Sequence, residues 1–172
     1  MFEVLCGLWE PGHGVVEVDG IDLRGLSLEH LRGQVVLVEG SDVFLGTVME
    51  NVRVGRPYLT PGEVREALRV VGLLGVVHDL SHGLDTQLIP GGGPLSATQG
   101  VRLTLARALV GRPRLLILDG VLDGLDLRVC PDLSLRLFDR LAPWTLLVAS
   151  IKPEVVGMCD RSEERRVGKE CA

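Results

Sequence analysis

Aromatic side chains are scarce, at 3% of the 172 residues, and no excess of positive charge compensates: the formal net charge is −5. Without stacking faces or a basic field, the chain lacks what holds nucleic acid, so nucleic acid is not expected among its partners. No apolar run approaches the roughly 20 residues needed to span a bilayer as a helix. The segment Met1 to Leu8 has neither the basic start nor the cleavage site of a signal peptide. Cys6, Cys130, Cys159 and Cys171 are scattered, without CxxC or Cys/His spacing, so they are expected as free thiols in a reducing compartment and not as zinc ligands. His78 and His82 stand four apart, but Ser81 and Gly83 predict a turn there and no third ligand is near in sequence.

What is abundant is apolar side chain: 46% of the residues are hydrophobic, ample for one buried core. The chain is organised around Gly91 to Asp126, GGGPLSATQGVRLTLARALVGRPRLLILDGVLDGLD. Spacing predicts a helix from Gln99 to about Val110 with Leu103, Ala106 and Val110 on one face, stopped by Gly111 and Pro113. LLIL, Leu115 to Leu118, is an unbroken apolar run, as expected for a strand covered on both faces in a parallel sheet. Asp119 is the first charge after it, at the strand end where α/β sheets bind ligands.

This stretch resembles the ATP-binding domain of ABC transporters. That family carries an LSGGQ signature, a helix ending in ARAL, a Walker B strand ending in Asp-Glu, and a D-loop SALD. Here Leu95, Ser96, Ala97, Thr98 and Gln99 stand at the signature, Ala106 to Leu109 read ARAL, Asp119 ends the strand and Asp123 to Asp126 read DGLD. The resemblance implies that Ser96, Ala97, Thr98, Gln99 and Asp126 face nucleotide, and that Asp119 holds Mg2+ through water. It also implies ATP as the ligand. The two signature glycines are replaced by Ala97 and Thr98, and Gly120 stands where the catalytic glutamate is expected.

The remainder of the chain supports the same resemblance in order. VVEVDG, Val15 to Gly20, alternates before an Asp-Gly turn and predicts a hairpin. VVLV, Val35 to Val38, predicts a buried strand; Gly40 then occupies the place of the family's Q-loop glutamine, with Glu39 the only polar neighbour. GTVMENVRVG from Gly46 and GLDT from Gly83 resemble exporter-type members, and Pro90 replaces the exporter coupling-loop glutamate. TPGE at Thr60 to Glu63 has the form of a capping box ahead of an apolar stripe of Val64, Ala67, Leu68 and Val71. Leu133, Leu137, Phe138 and Leu141 predict an amphipathic helix ended by Pro143, and WTLLVAS, Trp144 to Ser150, the next buried strand. Ile151 stands where the family has a histidine that contacts the γ-phosphate.

The beginning, MFEVLCGLW, has Phe2, Leu5 and Trp9 near helical spacing but no cap, and matches the end of the helix that follows the family's P-loop. No GK[ST] occurs in the chain, so the expectation is a fragment cut just after the phosphate-binding loop. The end, RSEERRVGKECA from Arg161, leaves the family pattern and resembles the peptide obtained by translating a common short-read sequencing adapter. The expected organisation is therefore a partial ATP-binding domain over 1–160 and a non-native tail over 161–172.

The fold class implied is α/β, a P-loop NTPase fold of the ABC type lacking the first strands and the P-loop. The function implied is an exporter's ATP-binding domain with a degenerate hydrolytic site. It would work at the cytoplasmic face of a membrane with a transmembrane domain and a second ATP-binding domain, a heterodimer being favoured over a homodimer. Three alternatives stay open: a non-catalytic partner or pseudo-ATPase domain, a domain that still hydrolyses ATP with Asp123 or Glu39 in place of the lost carboxylate, and a soluble ABC ATPase. Taken by itself the chain as written is expected to be inactive.

Overall fold

The computed structural model describes residues 2–91, 93–128 and 130–163; the tail from Glu164 onward, Cys171 included, lies outside them. The chain opens with a short helix, α1 (Phe2–Leu5). Gly7 ends it with φ +64, while the N–H groups of Gly7 and Leu8 donate back to Val4 and Glu3. Because that left-handed residue closes the helix, Trp9 falls beyond it and is 67% exposed, not on its apolar face. The hairpin forms as expected: β1 (Glu17–Val18) pairs antiparallel with β2 (Ile21–Asp22). Asp19 and Gly20 both take positive φ, 51° and 78°, as a type I′ turn requires.

Helix α2 (Leu28–Gln34) leads into β3 (Val35–Val38). Next come β4 (Gly46–Thr47), α3 (Val48–Arg53), α4 (Pro61–Val70), α5 (Leu74–Asp79) and β5 (Gln87–Leu88), which returns to pair with β4. Thr60 and Glu63 close the expected capping box on α4, and Thr47 and Glu50 form a second on α3. His78 lies in the last turn of α5 and His82 beyond its end, so they share no helix face.

The long helix α6 (Ala97–Val110) begins two residues earlier than its spacing predicts, because Ser96 caps it, and Val110 is half-buried where Leu103 and Ala106 are buried. Strand β6 (Leu115–Asp119), α7 (Pro131–Leu137), β7 (Thr145–Ala149) and α8 (Pro153–Val156) complete the order. Helix α7 stops at Leu137, well before Pro143. Asp139 accepts from the Leu141 N–H at 2.9 Å and its carbonyl from the Ala142 N–H, a local turn that competes with the helix and leaves Leu141 90% exposed.

The main sheet is parallel with the order β3-β6-β7. Its faces separate cleanly. Val38, Leu116 and Leu118 join a large core with α3, α4, α6 and α7, whereas Val35 and Ile117 join Cys6, Leu23 and Leu31 on the opposite side. The central β6 is thus covered on both faces. β7 is exposed at Thr145 and only half-buried from Leu146 to Ala149, a correction to the buried strand expected there, because among the described residues it pairs on one side alone. No helix among the described residues is long and apolar enough to cross a membrane.

Candidate functional site

The N-terminus of α6 is built by its own sequence. The Ser96 hydroxyl accepts from the Gln99 N–H at 3.3 Å, and the Gln99 side-chain oxygen accepts from the Ser96 N–H at 2.8 Å. This reciprocal box leaves the N–H groups of Ala97 and Thr98 without a hydrogen bond among the described residues, at the positive end of a 14-residue helix. Ser96, Ala97 and Thr98 are all exposed, while Leu95 is buried and anchors the approach.

Gly100 sets the height of that helix end. An added Cβ there would stand 2.3 Å from the Ser41 hydroxyl oxygen, so α6 presses against the loop that leaves β3. Ser96 lies four residues, about 6 Å of helix, farther out. The signature-like Ser96 thus lies about one helical turn beyond the contact with Ser41, exposed to solvent like Ala97 and Thr98.

The strand ends carry the other predicted positions. Gly40 follows β3, Asp119 ends β6, Gly120 follows it, and Ile151 stands two residues beyond β7. Parallel register places all four at one edge of the sheet. Asp119 is half-buried, and its carboxylate makes no hydrogen bond or ion pair among the described residues. Gly120 has φ +66, and the Ile151 side chain is 89% exposed. Glu39 is exposed just after β3. Burial pushes the Cys6 thiol up, and the charge of Glu39 adds to that shift.

Asp126 is held by its own neighbour: Arg128 donates to it from the guanidinium and from the backbone N–H, and these bonds lower its carboxyl below the usual range. Asp123 turns the other way. It accepts from the Ser150 hydroxyl and, at 3.3 Å to each oxygen, from the Ile151 N–H.

The sequence reading missed a cluster behind these positions. Arg107, inside ARAL, donates to the Asp42 carboxylate at 2.8 Å, to the Asp42 carbonyl at 2.6 Å and to the Asn51 carbonyl at 2.8 Å, with its guanidinium 5.2 Å from the Phe44 ring centre. Burial lowers its pKa and Asp42 opposes the shift. Asn51, fully buried, accepts from the Phe44 N–H and donates to the Phe44 and Thr47 carbonyls. An arginine within an otherwise apolar helix stripe was the available signal.

No three His, Cys, Asp or Glu side chains converge among the described residues, so no all-protein metal cage exists there. A lone strand-end carboxylate fits magnesium only in the way that ion is commonly held, by one or two carboxylates together with phosphates and water.

The family model for "ABC transporter" matches residues 1–122. The chain belongs to the ABC transporter family. It is similar to an ABC transporter ATP-binding protein, YknV, of Bacillus subtilis (strain 168), 36% identical over 124 residues, which cover 72% of this chain and 20% of that protein. It is also 36% identical, over 141 residues, to the Beta-(1-->2)glucan export ATP-binding/permease protein NdvA of Rhodopseudomonas palustris (strain ATCC BAA-98 / CGA009), covering 81% of this chain and 24% of the relative. The chain thus spans a fifth to a quarter of the length of these ABC proteins. A solved structure of a bacterial Atm1-family ABC exporter with ATP bound superposes with a TM-score of 0.81 at 24% identity, over 90% of this chain and 28% of that one, a likeness of fold. The sequence pattern and these matches identify an exporter-type ABC ATP-binding domain with the α/β architecture of P-loop NTPases.

Proposed function

We propose that this chain is part of an ABC exporter whose ATP-binding domain pairs with a second, hydrolytically competent one, and that its own hydrolytic site is degenerate. The observation that carries the reading is the contrast between the α6 N-terminus and the strand ends. The α6 N-terminus keeps a capped, exposed, phosphate-ready geometry at Ser96 to Gln99. At the sheet edge, Gly40, Gly120 and Ile151 supply no group that can orient or deprotonate a water.

ATP and Mg2+ are the ligands this reading requires. Magnesium would neutralise phosphate charge, and Asp119 would hold it through water. Ser96 and the Ala97 and Thr98 N–H groups would meet the terminal phosphate of a nucleotide held by the partner domain. The side chains of Ala97 and Thr98 stand where glycines would let backbone approach closer, so closure on phosphate is weakened. Asp126 borders the same interface. Asp123 is poorly suited to replace the lost glutamate, since Ser150 and the Ile151 N–H already occupy its oxygens. A heterodimer is favoured because a partner with an intact site supplies what this one lacks. The transmembrane domain belongs to the same transporter, placing the domain at the cytoplasmic face. The domain occupies 1–160, and 161–172 is a tail foreign to it.

Sequencing the locus on both sides of this reading frame tests the proposal. A P-loop and membrane-spanning segments upstream, with native sequence replacing Arg161 to Cys171, are expected. The complete domain should then hydrolyse ATP at least about tenfold more slowly by itself than with a competent partner, since loss of positioning and electrostatic groups costs orders of magnitude in phosphoryl transfer. A frame without a P-loop, or equal turnover with and without a partner, would sink it.

A further inference from the structure

The acidic loop after β6 does more than border an interface. It folds back onto the end of β7 through a continuous set of hydrogen bonds. The Gly120 N–H donates to the Ala149 carbonyl at 3.0 Å, and the Asp123 N–H returns to the Gly120 carbonyl at 3.1 Å, closing a turn. From that turn the Asp123 carboxylate accepts the Ser150 hydroxyl and the Ile151 N–H. The Ser150 oxygen in turn accepts from the Lys152 N–H at 3.1 Å, and the Lys152 ammonium donates to the Leu125 carbonyl at 2.9 Å. Three successive residues leaving β7 are therefore tied to one loop, through a carboxylate and an ammonium that are each half-buried.

Two chemical features set this apart from incidental loop contacts. A carboxylate offers two oxygens and a full charge to its donors, and charge-assisted bonds are about twice as strong as neutral ones. Ile151 has its backbone fixed by these bonds, yet its side chain is 89% exposed.

We propose that Asp123 is a positioning residue that latches the segment Ser150 to Lys152 to the acidic loop, holding the switch position in one conformation without a bound nucleotide. The consequence for transport rests on the function proposed above: in a paired transporter, this half would present a fixed surface where a competent domain presents a phosphate-responsive one.

Backbone amide exchange followed by NMR on the full chain tests the latch, with Ile117 and Leu118 in the central strand as internal references. In nucleotide-free protein, Asp123→Ala should speed exchange at Ile151 and Lys152 by about tenfold or more relative to those references. Asp123→Asn, which keeps one acceptor oxygen but neither the charge nor the second oxygen, should recover only part of the protection at Ile151, and Ser150→Ala should release Lys152. Unchanged exchange in Asp123→Ala, or acceleration shared equally by Ile117 and Leu118, would overturn the proposal; the latter outcome would make Asp123 a general stabiliser of the fold. Adding MgATP separates the two readings. With a competent partner domain added together with MgATP, a response at the Ala97 and Thr98 amides reports on nucleotide contact across the pair, and its failure to appear counts against the proposed function while the nucleotide-free result still decides the latch. A change of about tenfold at Ile151 on adding MgATP would show a switch that answers phosphate and would reject the latch.

Discussion

Arg107 grips Asp42 twice, donating to its carboxylate at 2.8 Å and its backbone carbonyl at 2.6 Å, and so joins the middle of α6 to the loop leaving β3. The guanidinium side chain is 14% exposed and the aspartate 80%. The asymmetry decides which partner matters. Arg107→Ala strips donors from the Asp42 and Asn51 carbonyls and uncovers Phe44, and should cost about 2–4 kcal/mol. Asp42→Ala removes an exposed carboxylate while the backbone carbonyl still accepts, and should cost under about 1 kcal/mol. Urea unfolding midpoints at unchanged slope would measure both; equal costs would show that the ion pair, not the backbone contact, holds the loop.

Legibility in the sequence follows the range of the interactions. VVLV and LLIL declare a doubly covered sheet because alternate residues face opposite cores, and the Thr60 box needs only its own four residues. The Asp19-Gly20 turn is equally local. Pairing of Gly46 with Leu88 and the clamp of Arg107 on Asp42 join residues far apart in the chain, and nothing near either residue announces its partner. The end of α7 is hidden because Phe138 and Leu141 keep the helical period while Asp139 forms a competing turn. At the strand ends, sequence places Gly40, Asp119, Gly120 and Ile151 at one edge, but cannot show that Asp123 turns toward Ser150.

The two glutamate caps give a pH dependence with a definite sign. Backbone N–H groups of Thr47 and Thr60, then their hydroxyls, lower the carboxyls of Glu50 and Glu63. A carboxyl whose folded pKa is depressed adds stability above its unfolded pKa, about 4.3, and that contribution fades as pH falls through the lower folded value. The urea midpoint should therefore drop between about pH 5 and pH 3. The Glu50→Gln, Glu63→Gln double variant should show a shallower drop over the same window; an unchanged slope would assign the acid sensitivity elsewhere.

Gly100 tests whether the height of the signature helix is fixed by close packing. A Cβ at this position meets the Ser41 oxygen at 2.3 Å and the Ser41 Cβ at 3.3 Å. Glycine in a helix interior gives up about 0.8–1.0 kcal/mol relative to alanine, so Gly100→Ala should stabilise wherever the clash is relieved. In a Ser41→Ala background it should do so, whereas with Ser41 present the overlap should cancel the gain, a coupling of about 1 kcal/mol. Additive effects in the four-variant cycle would mean that α6 does not bear on the loop leaving β3.

Gly120 bears most directly on whether the hydrolytic site could be restored by one side chain. Its φ of +66 lies in the left-handed region, while an added Cβ would meet nothing within 4 Å. Space is therefore available and backbone conformation is the obstacle, worth roughly 1–2 kcal/mol for a residue with a side chain. Gly120→Ala and Gly120→Glu should then destabilise by about the same amount, because the strain depends on the Cβ and not on the carboxylate. The carboxylate that Gly120→Glu introduces would also leave from a backbone oriented for glycine. Turnover in the complete domain should accordingly rise little on this change. A large gain in turnover with no loss of stability would show that the loop rotates freely, and that the missing glutamate was the single defect.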